Sequence, residues 1–155
     1  MTHLLLTLKL IHILGAAVLF GTGLGIAFFM FMAHRTGDPA AIAHTARMVV
    51  IGDALFTATA VVLQPLTGWG LAVLSGYPMS SFWIRATLVL YVFVGLCWLP
   101  VVWLQLKMRD MALVAARKRT ALPARYHGYY RIWFYLGWPA FMGVIAIFAL
   151  MLWKP

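Results

Sequence analysis

The stretch that decides the fold is residues 10–35, LIHILGAAVLFGTGLGIAFFMFMAHR. It is apolar from residue 10 to residue 33, holds His12 near its start, and ends at the basic pair His34-Arg35. About 20 apolar residues are enough for a helix to cross the roughly 30 Å hydrocarbon core of a bilayer. The run is too long for the apolar region of a signal peptide, so it predicts a retained first transmembrane helix.

Three more long apolar stretches follow, separated by Gly37-Asp38-Pro39, by a turn at Ser75-Gly76-Tyr77-Pro78 and by a basic segment. We predict membrane spans at about residues 4–34, 47–74, 82–106 and 129–153. The pattern predicts an all-α membrane protein, an antiparallel bundle of four transmembrane helices, with residues 1–155 forming one membrane domain.

The composition agrees with a chain whose main partner is the lipid bilayer. Of 155 residues, 65% are hydrophobic and 10% are charged, against about 25% charged in a soluble domain. The net charge of +9 does not indicate nucleic acid, because the basic residues lie at the ends of apolar runs. There they orient the protein and contact anionic lipid.

The distribution of basic residues predicts the orientation. The first connection is flanked by Arg35 and Arg47, residues 75–81 hold no Lys or Arg, and the third connection is strongly basic: Lys107, Arg109, Arg117, Lys118, Arg119 and Arg125. The positive-inside rule predicts connections one and three in the cytoplasm and both termini in the periplasm, across a bacterial inner membrane. Residues 111–124 are expected to form a short amphipathic surface helix, and Tyr129 and Tyr130 to belong to an interfacial aromatic belt.

His12 is the polar residue of greatest interest in the first span. At 100° per residue it shares a face with Gly15, Ala16 and other small or apolar residues, which leaves room for a flat ring. It is either a ligand or the partner of an interhelical hydrogen bond to backbone or threonine. The opposite face carries the small residues Ala17, Gly21 and Gly25, which suit close helix packing in a homodimer.

The second span carries a polar stripe, Asp53, Thr57, Gln64 and Thr67, that must point into the bundle. Asp53 is the only acid inside any span. It either pairs with Arg131 or Arg47 in a structural network, or belongs to a proton path or quinone pocket. Pro65 leaves the carbonyl near Val61 free, and a ligand, water or side chain must satisfy it.

The remaining chemistry-bearing residues lie near span ends. Arg85 opens the third span at about the depth of His12, either as an interface anchor or as a cation facing an anionic group such as a haem propionate. His34, His44 and His127 cluster at the predicted cytoplasmic surface, as solvated histidines or as a second metal or haem site. Cys97 is the only cysteine and has no partner for an internal disulfide.

Several short motifs resemble a known family. Lys9-Leu10-Ile11-His12, opening a long apolar span, resembles the start of HemJ-type protoporphyrinogen oxidases and, more loosely, of CopD copper-resistance membrane proteins. Residues 125–131 lead into a last span that ends in Lys154-Pro155, which is similar to the HemJ last helix. The motifs around Gln64-Pro65 and Cys97-Trp98 are also similar to a group of uncharacterised bacterial predicted integral membrane proteins in the same superfamily.

The resemblance implies haem b, with His12 as an axial ligand of the iron. Arg85 would stand where the family has a lysine, and Gln64, Thr67 and Arg131 would complete the cofactor site. Gly137-Trp138 replaces an Asn-Glu pair of the oxidases, so the resemblance implies haem binding and leaves their enzymatic activity open. The expected function is redox or electron transfer with quinone or another membrane redox protein. The alternatives are a cofactor-free accessory subunit and a CopD-like metal-handling protein.

Overall fold

The computed structural model describes residues 2–155, with side chains from His3 onward. Helix α1 spans Thr2–Thr36, α2 spans Pro39–Gly52, a π-helical turn covers Asp53–Thr57, α3 spans Ala58–Leu74, α4 spans Phe82–Lys118 and α5 spans Ala124–Trp153. Because α2, the π-turn and α3 form one continuous helix, residues 3–153 contain four helices long and apolar enough to cross a membrane. The predicted antiparallel four-helix membrane bundle is therefore confirmed.

The first connection is only two residues long because the sequence caps the second helix tightly. Gly37 adopts a φ of +66°, a conformation open to glycine. The Asp38 carboxylate then accepts hydrogen bonds from the backbone N–H groups of Ala40 (3.0 Å) and Ala41 (3.3 Å), with Pro39 in the first helical turn. His44, predicted to lie in a connection, is therefore part of α2.

The predicted surface helix over residues 111–124 is wrong. Helix α4 continues without interruption to Lys118, and α5 already begins at Ala124. The reason is that the apolar stripe of α4 continues past the first basic residues. Met108, Ala112 and Ala115 are all buried and hold the helix against its neighbours. Arg119, with a φ of +52°, ends α4 in a left-handed turn.

The bundle has two distinct ends. At the terminal end, the Lys154 ammonium donates a hydrogen bond to the Tyr77 hydroxyl (2.9 Å) and lies over the rings of Tyr77 and Trp83. This joins the chain end to the connection at residues 75–81. At the other end, which we call the basic end, the His34 ring of α1 stacks on Tyr130 of α5, beside the two basic connections.

The packed core lies almost entirely toward the basic end. Its buried residues are Met30, Ala33, Ile42, Ala43, Ala46, Val49, Val101, Leu104, Met108, Ala112, Tyr126, Tyr130 and Trp133. Helix α4 is about 55 Å long at 1.5 Å per residue, so on the order of 15 of its 37 residues exceed a hydrocarbon layer that takes about 20. The excess lies at the basic end, where the outer faces carry the charges.

The terminal half has few large buried side chains. Its large apolar side chains point outward, as at Val89 (70% exposed), Leu96 (65%) and Leu152 (78%). Such a surface suits lipid tails, which take the place that protein core has in a soluble bundle. The predicted site residue His12 lies in this lipid-facing half.

Candidate functional site

A polar cluster in the terminal half joins α1 to α3 through His12. The His12 Nδ1 and Thr67 Oγ1 atoms are 2.8 Å apart, and the Thr67 hydroxyl lies 2.7 Å from the carbonyl oxygen of Leu63. A hydroxyl has a single proton, and Thr67 donates it to that carbonyl one turn earlier. Thr67 therefore accepts from His12 Nδ1–H, and this tautomer leaves the lone pair on Nε2.

The free nitrogen of His12 is open to a ligand. Within residues 3–155, Nε2 makes no hydrogen bond, and it is not among the buried side-chain atoms that lack a partner. A neutral imidazole whose Nδ1–H is held by an acceptor presents Nε2 in a fixed orientation. The arrangement can ligate a metal centre or accept a proton through that atom.

Two glycines make the close approach of these helices possible. A Cβ at Gly68 would lie 3.2 Å from the His12 Cε1 atom, and a Cβ at Gly15 would lie 2.5 Å from the Gln64 Nε2 atom. The Gln64 amide donates to the His12 carbonyl oxygen at 2.9 Å. The sequence pattern singled out Gly15 on the histidine's own helix, but it missed Gly68, because a contact on another helix leaves no signal in the spacing along α1.

The structure brings together three of the five predicted cofactor residues, His12, Gln64 and Thr67. Arg85 opens α4 at the same end of the bundle and is exposed, with no side-chain hydrogen bond or ion pair in the described part of the chain. Arg131 is exposed in the first third of α5, toward the basic end and away from this cluster. The interhelical bond to threonine, given as the structural alternative for His12, is present and leaves Nε2 unused.

The carbonyl freed by Pro65 is satisfied as predicted, by a side chain. The Tyr91 hydroxyl of α4 donates to the carbonyl oxygen of Val61 on α3. A second tie crosses the bundle where Phe20 of α1 stacks on Phe141 of α5, with ring centroids 4.8 Å apart. Both contacts lie deeper in the bundle than the His12 cluster, on its basic-end side.

Asp53 occupies the first position of the π-turn and is 5% exposed. The Trp98 indole N–H points at its Oδ1 atom over 3.4 Å, and Oδ2 has no partner among residues 3–155. The predicted pairing with Arg47 or Arg131 is wrong: both arginines are exposed, and the single ion pair of the described residues joins Arg109 to Asp110 at 2.8 Å. The arginines stay outside because water or lipid head groups solvate them at no desolvation cost.

The predicted histidine cluster forms only in part. The His34 ring stacks on Tyr130 with centroids 3.6 Å apart and meets His127 edge-on at 5.7 Å, whereas His44 is exposed on α2. Tyr130 is buried in the core instead of lying in the aromatic belt, because it packs between His34 and Trp133. Over residues 3–155, no three His, Cys, Asp or Glu side chains come together as a metal site.

Comparison with protein families gives a match between residues 6–155 and the model of a family described as a predicted integral membrane protein, DUF2269. The match covers nearly the whole chain. No curated protein and no solved structure matches the sequence.

Proposed function

The chain belongs to the DUF2269 family of predicted integral membrane proteins, and we propose that within the membrane it acts as a b-type haem protein that transfers electrons. One observation carries the proposal, namely the His12 imidazole, whose Nδ1–H is held by Thr67 while Nε2 is left open. Histidine is a common axial ligand of haem iron. A ligating histidine nearly always gives its other N–H to an acceptor.

The residues around His12 would support such a group by holding the imidazole in place. A porphyrin supplies four nitrogens to its iron, so a single histidine from the protein can hold it. Thr67 would fix the tautomer, and Gln64 with Gly15 and Gly68 would hold α1 against α3 so that the ring cannot swing away. Arg85, exposed at the same end, is available to a propionate. Arg131 is assigned no role in this site.

Haem would supply one-electron redox chemistry, and the chain would supply ligation, orientation and an apolar setting. The electron partner in this proposal is quinone or another membrane redox protein, because both reach a site in the lipid-facing half through the bilayer. The alternative of a cofactor-free accessory subunit uses the same His12–Thr67 bond as a helix tie.

An absorption spectrum of the dithionite-reduced protein, purified from haem-replete cells, tests the proposal. We expect a Soret band in the wild type and loss of most of it in His12→Ala. Arg85→Ala should weaken retention less, because it removes a charge contact and leaves the iron bond. His44→Ala, on an exposed face, is the matched control and should keep the full band.

Two results would overturn the assignment. A colourless wild-type protein would favour the accessory-subunit alternative. Full haem retention in His12→Ala would move the ligand elsewhere, with His34 and His127 as the next residues to replace.

For the location, we propose a bacterial inner membrane with both termini in the periplasm. The proposal rests on the basic residues, which flank the connections at residues 37–38 and 119–123 and are absent from residues 75–81. Reporter fusions at Ser75 and Thr120 test it. A cytoplasmic reporter at Ser75 together with a periplasmic one at Thr120 would reverse the orientation.

For the oligomer, we propose a homodimer through Ala17, Gly21 and Gly25. A Cβ added at Gly21 or Gly25 meets nothing within 4 Å in the single chain, so a second helix can approach there closely. Light scattering in detergent should give a dimer for the wild type and a monomer for Gly21→Leu. A monomeric wild type would refute this part of the proposal.

A further inference from the structure

Asp53 differs from the other two acidic residues of the chain, Asp38 and Asp110. Asp38 caps α2 through both of its oxygens, and Asp110 pairs with Arg109 at the surface. Asp53 is 5% exposed, and no basic side chain lies within ion-pair distance of it in the described residues. An ionised carboxylate in this position would be desolvated without a compensating charge, which is costly.

Every element packed around Asp53 lacks a charge that could face it. The sequence holds no Lys, Arg, His, Asp or Glu in residues 13–33 of α1, 54–74 of the second helix, 86–106 of α4 or 132–153 of α5. The titratable side chains in these stretches are Tyr91, Cys97 and Tyr135. On α2, His44 and Arg47 lie on exposed faces. With no positive charge to compensate a carboxylate, we expect the Asp53 side chain to be neutral, which requires a bound proton.

The local geometry presents one carboxyl oxygen for that proton. The Trp98 N–H is directed at Oδ1, while Oδ2 is buried without a partner among residues 3–155. The Thr57 hydroxyl, at the other end of the π-turn, is also buried without a partner among residues 3–155. π-turns within α-helices occur frequently at functional sites.

The buried polar atoms that the protein leaves unpaired extend from Asp53 toward the basic end. Within residues 3–155 there are eight: Asp53 Oδ2, Thr57 Oγ1, Thr87 Oγ1, Gln105 Oε1, Tyr126 OH, Tyr130 OH, Trp133 Nε1 and His34 Nδ1. Thr57, one turn after Asp53, and Thr87, near the start of α4, are the two members on the terminal side of Asp53. Gln105 follows Trp98 by seven residues, about 10 Å nearer the basic end at 1.5 Å per residue.

Buried polar groups that lack a protein partner are ordinarily hydrogen-bonded to ordered water. Gln105, Tyr130 and Tyr126 lie toward the basic end, so water that enters from that end would meet them first. We propose that Asp53 is a reversible proton-binding site that exchanges protons with water at the basic end along this set of side chains. In each exchange, a hydronium ion gives its proton to the carboxylate, which leaves a neutral carboxylic acid and a water molecule, and the reverse step regenerates hydronium and carboxylate.

Infrared spectroscopy of the full chain in lipid tests the proposal, and three aspartates make its carboxyl region simple. At neutral pH we expect a C=O stretching band of a protonated carboxyl that is lost in Asp53→Asn and kept in Asp110→Asn. Uniform carbon-13 labelling of aspartate in the wild type must shift the same band. That labelling assigns it to aspartate even where Asp53→Asn fails to fold.

Exchange into heavy water tests reversibility and route. The band should shift promptly in the wild type, and Gln105→Leu and Tyr130→Phe should slow the shift by about tenfold, the factor that roughly 1.4 kcal/mol of added barrier produces. Tyr91→Phe is the control, because the Tyr91 hydroxyl donates to the carbonyl oxygen of Val61 on the terminal side. In this variant the band should shift at the wild-type rate.

Three outcomes would overturn the proposal. Absence of the carboxylic acid band at neutral pH would mean that Asp53 is ionised. A band that does not shift in heavy water would make Asp53 a sealed structural acid. Unchanged exchange rates in both Gln105→Leu and Tyr130→Phe would remove the route from the basic end.

Discussion

The two halves of this bundle differ in what holds their helices together, although both carry large apolar side chains on their outer surface, as at Leu152 and Tyr135. In the terminal half, large apolar side chains face outward and polar side chains tie helices together, as between His12 and Thr67 or Tyr91 and Val61. In the basic half, apolar side chains form a closed core, and buried polar atoms such as Tyr126 OH and Gln105 Oε1 lack protein partners. The solvent explains the difference, since apolar burial stabilises a bundle in water and gives little in lipid.

The comparison shows where each half gets its stability. The basic half relies on a packed apolar core that joins its helices. The terminal half relies on close approach at small residues and on a few interhelical hydrogen bonds. Core substitutions should therefore be costly in the basic half, and glycine or hydrogen-bond substitutions in the terminal half.

The largest expected effect comes from truncating an isoleucine in the basic half. Ile42 is 0% exposed, and replacing a buried Ile by Ala costs about 2–5 kcal/mol. Ile42→Ala should lose that much free energy of unfolding in a denaturant titration in detergent followed by circular dichroism. Ile13→Ala, at a position 55% exposed in the terminal half, should lose far less. Equal losses would mean that both halves are packed alike.

A glycine substitution should come next. In Gly15→Ala the added Cβ would meet the Gln64 amide at 2.5 Å, and overpacking of this kind costs about 1–3 kcal/mol. Gly23→Ala, on the same helix with nothing within 4 Å and outside the proposed dimer stripe, should be neutral or slightly stabilising in the same titration. If Gly15→Ala is as stable as the wild type, α1 and α3 are not held at this distance.

Removing the acceptor of His12 should have an effect on stability of similar size and a clear spectroscopic effect. Thr67→Val leaves Nδ1–H without a partner, at a cost of about 1–3 kcal/mol, and frees the imidazole to change tautomer. Nitrogen-15 NMR of labelled histidine should show the Nδ1–H form in the wild type and a mixture in the variant. Thr59→Val, whose hydroxyl is exposed and bonds only to Leu55 within its own helix, should leave the His12 signals unchanged.

The smallest effect concerns the chain end. Lys154→Met removes the hydrogen bond to Tyr77 and the contacts with two aromatic rings, worth about 0.5–1 kcal/mol at an exposed site. Hydrogen exchange should become faster in the last turn of α5 and stay unchanged at its start. Lys118→Met, an exposed lysine at the end of α4, should leave exchange in α5 as it is.

Much of the site could be predicted from residue spacing along single helices. The polar stripe of the second span predicted that Asp53, Thr57 and Thr67 point inward, and all three are buried. Pro65 predicted an unpaired carbonyl at Val61, which Tyr91 satisfies. These predictions held because a buried polar group in a membrane helix must face the bundle, whichever helices surround it.

Side-chain contacts between different helices could not be predicted from this spacing. An arginine partner was one of the two alternatives for Asp53, whereas Trp98 lies there. Tyr130 was expected at the lipid interface, whereas it stacks on His34 in the core. Residues more than 40 positions apart meet at such contacts, and their pairing depends on how the helices rotate and cross.

The sequence by itself determined that this chain is a four-helix membrane bundle, because the length and hydropathy of the apolar runs leave no other way to shield them. The tertiary structure alone decided where the long helices end. It also decided that the His12 ring packs against Gly68 and that Asp53 lacks a basic partner among residues 3–155. The physical reason is that hydropathy acts on each segment separately. Helix rotation, close approach and hydrogen-bond pairing, in contrast, are fixed only when all four helices pack together.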